Sequence, residues 1–289
     1  RMNTSTIRFK TLDPERLRIR YFMFYLKSQN FKNQLFRQIT GSAQLNYGPS
    51  HLKKMFMPLI DISLQDDIVR KLDKIQCIIE MRQQELVKLD DLIQARFVEM
   101  FGDPVCNSHD LPEATLPELG EFGRGVSKHR PRNDSNLLGG RYPLIQTGDV
   151  ATSELYITSY TNTYSELGLK QSKMWKKGTL CITIAATIAK TAILAFDACF
   201  PDSVVGFIAN EKTNNVFVHY WFTFFQSILE AQAPESAQKN INLKILSELK
   251  IIVPKKELQD EFVTFVNQVN KSKLVIKNLL QIYKHQIQM

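Results

Sequence analysis

Apolar residues recur at alternating steps of four and three through residues 65–100, at Ile68, Leu72, Ile75, Ile79, Leu86, Leu89, Ile93 and Phe97, with Arg82 at the one polar place in the series. This spacing predicts a single long helix with a narrow apolar seam. At ~1.5 Å per residue the rod is about 50 Å long, and no glycine or proline interrupts it before Gly102 and Pro104. A seam of that length needs a partner along it. The same chain supplies one, because residues 43–69 align without a gap to residues 237–263, and Ala43, Gln44, Asn46, Leu52, Leu64, Gln65, Asp66 and Val69 recur 194 positions later. The match is an internal repeat. Carried forward, it predicts a second rod from about residue 259 to 289 with Phe262, Val266, Val269, Ile276, Leu280 and Tyr283 on its seam. Upstream, Tyr21-Phe22 matches Tyr220-Trp221 at an offset of 199, which implies about five extra residues in the first copy. Polar places on a seam set register, and Arg82 is expected to face Ile276, and Lys273 to face Ile79.

Elsewhere the period changes. A helix is expected from about Glu15 to Gln38, after a β-like run at Ser5 to Phe9. Beyond Pro104 an alternating pattern predicts strands at Tyr142 to Gln146, Leu155 to Tyr160, Thr179 to Ile184, Thr191 to Phe196 and Val204 to Ala209. Glycine and proline turns separate them. Helices at Val216 to Ala231 and near Leu243 to Leu249 follow, then a strand-like Lys250 to Val253. The chain therefore divides into residues 1–60, the C-terminal remnant of a first globular domain; 61–103, the first rod; 104–256, a complete second globular domain; and 257–289, the second rod. The class is α+β, with mixed α/β domains joined by two long antiparallel coiled-coil helices.

With 289 residues, 44% of them hydrophobic, the chain can bury more than one core. No apolar run reaches the roughly 18 residues of a membrane span, and no secretory signal opens the sequence, so a cytoplasmic location without membrane contact is expected. Cys77, Cys106, Cys181 and Cys199 are scattered, with neither zinc spacing nor a disulfide pattern. The net charge of +8 is local: residues 1–60 hold eleven Lys/Arg against Asp13 and Glu15, and the remainder is close to neutral. A basic segment of this kind points to a polyanion, nucleic acid first.

Enzymatic signals are weak. Ala185 to Thr191 ends like a phosphate-binding loop but has Ile184 and Ala189 where that loop needs glycines. Pro201-Asp202 with Glu211-Lys212 suggests a nuclease core, but adjacent Glu and Lys would point to opposite sides of a strand. Gly120, Gly123 and Gly125 read as turn glycines. No catalytic residue and no metal ligand is assigned. What remains is a binding surface. The segment 123–133, GRGVSKHRPRN, gathers Arg124, Ser127, Lys128, His129, Arg130 and Arg132 with no acid among them, and such groups neutralise phosphates or read base edges. Lys173, Lys176 and Lys177 surround Trp175 in a second acid-free cluster. Lys190 follows the glycine-poor turn, and Gln146, Thr147, Gln238, Lys239 and Asn240 offer hydroxyl, amide and ammonium groups suited to bases or phosphates.

These residues, with the stretches GGRYPLIQTGDV at 139–150 and CITIAATIAKTAI at 181–193 and the twice-used LQDDIV and LQDEFV before each rod, resemble the specificity subunit of type I restriction-modification systems. The resemblance covers nearly the whole chain. It departs at Ala186 and Ala189, where the usual pattern carries glycines, and in Gln-Asp where the junction usually has Glu-Gln. It implies a non-catalytic subunit whose target-recognition domains each bind one half of a split double-stranded DNA sequence. The helices would serve as spacer and as a docking surface for two methyltransferase subunits, joined in some complexes by restriction subunits. No cofactor is expected in this chain; S-adenosylmethionine and ATP would be bound by those partners. With the first recognition domain reduced to a remnant, two chains are expected to be able to self-associate through their helices. The alternative from another class is a coiled-coil scaffold that binds a second protein.

Overall fold

The structure, a computed structural model, describes residues 7–38, 48–129, 131–185, 188–232 and 241–288. The helices in chain order are α1 (Ile19–Lys27), α2 (Gln29–Gln38), α3 (Pro49–Leu52), α4 (Ile62–Phe101), α5 (Leu116–Leu119), α6 (Thr147–Thr152), α7 (Glu166–Lys170), α8 (Asn215–Gln232), α9 (Leu243–Glu248) and α10 (Lys256–Gln288). The strands are β1 (Glu113–Thr115), β2 (Gly120–Arg124), β3 (Leu138–Leu144), β4 (Tyr156–Ile157), β5 (Asn162–Tyr164), β6 (Met174–Trp175), β7 (Leu180–Thr183), β8 (Thr191–Leu194), β9 (Ala198–Cys199), β10 (Val204–Ala209) and β11 (Lys250–Ile252). They fall into two compact units, one of Arg1–Asp91 with Val269–Met289 and the other of Leu92–Gln268. Each unit contains one end of each long helix.

In the first unit the expected Glu15–Gln38 helix is two helices, because Ser28 adopts extended backbone (φ −69°, ψ 156°). Its Oγ donates to Tyr25 O at 2.7 Å and accepts from Phe31 N at 3.3 Å, closing α1 and capping α2. Of the β-like run expected at Ser5 to Phe9, residues 7–9 are irregular and Ser5 and Thr6 lie outside the described residues. At the start of α4, the fully buried Gln65 ties a knot: Nε2 donates to Arg16 O (2.9 Å) and Ile60 O (2.7 Å), and Oε1 accepts from Arg18 N (2.9 Å). The second unit repeats it. Gln259 Nε2 donates to Lys212 O (3.0 Å) and Pro254 O (2.8 Å), and its Oε1 accepts from Thr213 Oγ1 (2.9 Å). Arg18 lies 48 residues before its partner Asp66, and Asn214 lies 46 before Asp260, so the first copy is longer by two residues rather than about five. The equivalent helix starts are Ile19 and Asn215. The match of Tyr21-Phe22 to Tyr220-Trp221 therefore reflects aromatic composition and not position.

The long helices run antiparallel. In the first unit Gln83 and Leu86 of α4 share a groove with Leu280 and Lys284 of α10, and further along α4 Asp90 Oδ1 accepts from Lys273 Nζ at 2.6 Å. In the second, Arg96 donates to Glu261 at 2.9 Å and Phe97 meets Phe262. On α10 the predicted seam residues Phe262, Val266, Val269, Ile276 and Leu280 are buried, and Tyr283 is half-buried. On α4, Ile93, Phe97 and Phe101 are buried, while Ile68, Leu72, Ile75, Leu86 and Leu89 are half-buried. The expected polar register is corrected: Lys273 meets Asp90 rather than Ile79, and Arg82 pairs with Glu85 on its own helix rather than facing Ile276. Positions equivalent in the repeat are not positions opposed in space, because in an antiparallel pair residue numbers rise on one helix as they fall on the other.

The second unit holds a five-stranded sheet, order β2-β10-β7-β8-β4, and a four-stranded sheet, order β5-β3-β9-β6, with β1 and β11 paired separately ahead of α10. Val204–Ala209 forms as predicted, β3 lies further upstream than expected, and the other predicted strands are shorter. The glycines read as turn residues belong to or flank β2. A Cβ on Gly120 would sit 2.1 Å from Ile208 O, and one on Gly125 would sit 2.3 Å from Phe200 O, so both permit close backbone approach. Trp175 is core, stacked on Phe200 at 5.1 Å between ring centroids.

Candidate nucleic-acid interface

Strand register decides which predicted residues meet. Arg124, the last residue of β2, pairs with Val205 at the start of β10; Val204 pairs with Thr183 at the end of β7; and Ile182 pairs with Thr191 at the start of β8. One end of the five-stranded sheet therefore collects the segment after β2, the turn before β10 and the turn between β7 and β8. The basic segment is pinned there. Gly125 N donates to Val204 O (2.9 Å) and Val126 N to Phe200 O (3.1 Å), while Ser172 Oγ donates to Val126 O (2.7 Å). Gln171 Oε1 accepts from both Lys128 N (2.7 Å) and His129 N (3.0 Å). Gln171 went unnoticed in the sequence because its partners lie 43 and 42 residues away and no local pattern marks it.

Arg124 and Lys128 are exposed and meet no carboxylate among the described residues. His129 Nε2 lies 3.1 Å from Asp134 Oδ2, and the Asn136 N–H, first, holds the Asp134 carboxyl below its ordinary range. Arg132 forms an ion pair with Asp202 in the turn before β10. Ser127 is buried. Lys190 is half-buried at this same sheet end, with its N–H donating to Thr183 Oγ1 at 3.1 Å. Beside it Ala189 has φ +57°, the left-handed backbone for which glycine is the usual residue, which gives the departure at this position a structural meaning. Arg130 and Gln238, Lys239 and Asn240 lie outside the described residues.

Gln146 and Thr147, at the start of α6, share a cavity of about 250 Å³ with Arg132, Tyr164, Pro201 and Ser203. Asn162 adds a second amide, donating to Thr161 Oγ1 at 3.0 Å and standing 3.5 Å from Gln146 Oε1. The second lysine cluster is placed elsewhere. Lys176 and Lys177 precede β7 at the opposite end of that strand, and Lys173 pairs with Glu121 at the far end of β2. These lysines are acid-free only in sequence: Lys173 Nζ meets Glu121 at 2.9 Å and Lys176 Nζ meets Asp197 at 2.9 Å, while the Lys177 N–H donates to Asp197 Oδ1 at 2.8 Å. Among the described residues no group of acidic, His or Cys side chains could hold a metal ion, and no helix is long and apolar enough to cross a membrane.

The family model for the type I restriction modification DNA specificity domain matches residues 113–282, more than half of the chain. The chain belongs to that family. It is 22% identical over 291 aligned residues to the MjaX type I restriction enzyme specificity subunit of Methanocaldococcus jannaschii, covering 90% of this chain and 67% of the relative. Its fold is similar to the HsdS subunit from Thermoanaerobacter tengcongensis, with a TM-score of 0.52 at 18% identity over 93% of this chain and 67% of the other. It is also similar to a chain solved in work on complex assembly and conformational transition of the type I restriction-modification system, with a TM-score of 0.65 at 18% identity over 95% and 69%.

Proposed function

We propose that this specificity-family chain reads double-stranded DNA through one end of the five-stranded sheet of its second unit, and performs no chemistry itself. The observation that carries this is the convergence, set by strand register, of Arg124, Lys128 and Arg132, the Gln146–Thr147 amide and hydroxyl, and Lys190 on one sheet end. Exposed Arg124 and Lys128 provide phosphate contacts, which position the protein, and the amide-lined cavity faces base edges, which specify sequence. The remaining predicted groups, Arg130 and Gln238 to Asn240, belong to the same reading. In it the second unit reads one half-site of a bipartite target, and α4 and α10 act as a spacer and as the dock for two methyltransferase subunits, with restriction subunits where present. S-adenosylmethionine and ATP are bound by those partners, and two copies of this chain associate through their helices to present two readers.

The test is reconstitution with the cognate methyltransferase subunits, followed by base-resolved mapping of methylation. A bipartite motif is expected, symmetric if two copies supply the readers. Methylation without a sequence motif would overturn the reading, and a monomer by light scattering at every concentration would remove the two-copy part alone. Binding should weaken steeply with salt, whereas salt-insensitive retention would favour a protein-binding scaffold.

A further inference from the structure

Two features of the 250 Å³ cavity go beyond a general attraction for DNA. The first is the state of Arg132. Its side chain is 46% exposed, and one of its guanidinium nitrogens, Nη2, is engaged by Asp202 Oδ1 from the turn before β10. An arginine whose only task is to meet a phosphate gains nothing from a carboxylate beside it, since the acid weakens the field that the phosphate would feel. A carboxylate that occupies one corner of the fork instead fixes its plane and leaves the remaining N–H donors aimed away from Asp202. A fixed planar fork suits bidentate recognition.

The second feature is the polarity of the neighbouring groups. Gln146 Oε1 accepts from Asn162 Nδ2 at 3.5 Å, and Gln146 Nε2 is a donor for a ligand. Thr147 and Ser203 contribute hydroxyls to the lining, with Tyr164 and Pro201 as its apolar wall. Gly148 borders the mouth with open space where a Cβ would be. The cavity is therefore biased toward donors. Of the four bases, guanine alone presents two acceptors, O6 and N7, in the major groove; thymine presents one, O4, beside its methyl group, adenine offers a donor at N6 that would meet the guanidinium donor to donor, and cytosine presents a donor.

We infer that Arg132 reads a guanine at the major-groove edge from this cavity, with Asp202 as the positioning residue that sets the plane of its guanidinium. The inference rests on the DNA-reading function above and assigns its specificity at one base pair. Lys128, exposed on the same segment, is a phosphate contact in this scheme, so the two cations should behave differently when removed.

The experiment selects bound duplexes from a randomised library with the full chain assembled with its methyltransferase subunits, for wild type, Arg132→Ala, Asp202→Asn and Lys128→Ala, at several salt concentrations. Arg132→Ala should abolish the preference at one guanine position, a loss of roughly 5- to 150-fold in discrimination for one bidentate pair, with every other position unchanged. Asp202→Asn should keep guanine as the preferred base there and reduce the discrimination. Lys128→Ala should leave the motif intact, weaken all sequences alike and lower the salt slope by about one. Because Arg132 is exposed, unfolding of the variant is not expected, and an unchanged melting curve checks it. An Arg132→Ala protein that keeps full discrimination at every position, or loses affinity equally for all sequences, would overturn the assignment while sparing the DNA-reading function. A wild-type complex without any sequence preference would overturn both.

Discussion

Gln65 and Gln259 make the same knot, three hydrogen bonds from a fully buried amide in the first turn of a long helix, yet the two units surround it differently. In the second unit the hydroxyl that meets Gln259 belongs to Thr213, itself buried, and the adjoining core is aromatic: Phe97 packs on Phe217, Phe224 and Phe262 at 5.0–5.3 Å between centroids. In the first unit Gln65 meets backbone groups of Arg16, Arg18 and Ile60 on a partly exposed segment, and ion pairs flank it, Arg18 with Asp66 and Arg20 with Asp73. One local sequence thus gives one local geometry, while the surroundings decide whether burial or charge supports it. The second unit relies on apolar area removed from water, which is worth several kcal/mol per large side chain. The first depends more on exposed ion pairs, whose contribution is small and screened by salt.

The largest expected difference lies at the repeat-equivalent positions 262 and 68. Phe262 is fully buried and touches Phe97, Phe101 and Tyr220, so Phe262→Ala should cost the second unit about 4 kcal/mol. Ile68 is half-buried, and Ile68→Ala should cost about 1–2 kcal/mol. Denaturant midpoints of the two variants measure both, and equal losses would break the contrast.

Next comes pH, which should act on the second unit. His219 on α8 is buried, with its Nδ1 2.9 Å from Thr191 Oγ1, and burial pushes the imidazole pKa down to about 4. The unfolded chain takes up this proton near pH ~6.5 and the folded chain refuses it until about pH 4. Stability is thus fully present above about pH 6.5 and falls as pH drops toward 4, by on the order of 3 kcal/mol. His219→Gln should flatten that slope, as followed by urea unfolding at pH 7 and pH 4.5. An unaltered slope would show that other groups set the acid response.

The knots themselves should differ by less. Gln259→Ala leaves Thr213 Oγ1 and the carbonyls of Lys212 and Pro254 without the partner amide, at a cost of about 2 kcal/mol. Gln65→Ala should cost about 1 kcal/mol, because water can reach the freed groups on the more exposed segment. Hydrogen exchange at α1 and α8 separates the two effects, and equal protection losses would mean that the surroundings matter less than the hydrogen bonds.

Much of this arrangement was legible in the sequence because it depends on short-range periodicity. The four-three spacing gave both long helices, and the recurrence of Leu-Gln-Asp gave the repeat. What escaped was long-range. Strand β2 escaped notice because its glycines suggest turns until Ile208 and Phe200 are seen against them. The lysines around Trp175 looked free because Glu121 and Asp197 lie more than 20 residues from the lysines they meet, except that Asp197 is 20 from Lys177. In the sequence only its charge marks Arg132. Its acid, Asp202, is 70 residues away, so this ion pair could not be read locally.

The smallest expected effect bears most directly on why the two units differ. Arg18 makes two bonds to the Asp66 carboxylate, at 2.9 and 3.1 Å, where in the second unit Asp260 takes the neutral Asn214 at 3.3 Å and an ion pair with Lys256 from its own helix. Arg18→Asn gives Asp66 the neutral partner that Asp260 has in Asn214, and Asn214→Arg does the reverse. If charge supports the first unit, Arg18→Asn should lower its melting temperature in dilute buffer and leave it unchanged near 1 M salt, where the Debye length is only about 3 Å. Asn214→Arg should add to the salt dependence that the Lys256–Asp260 pair already gives the second unit. A fall in melting temperature that persisted at high salt would mean that the arginine acts through the packing of its stem on the helix and not through its charge. The contrast between the units would then reduce to how much apolar surface each one buries.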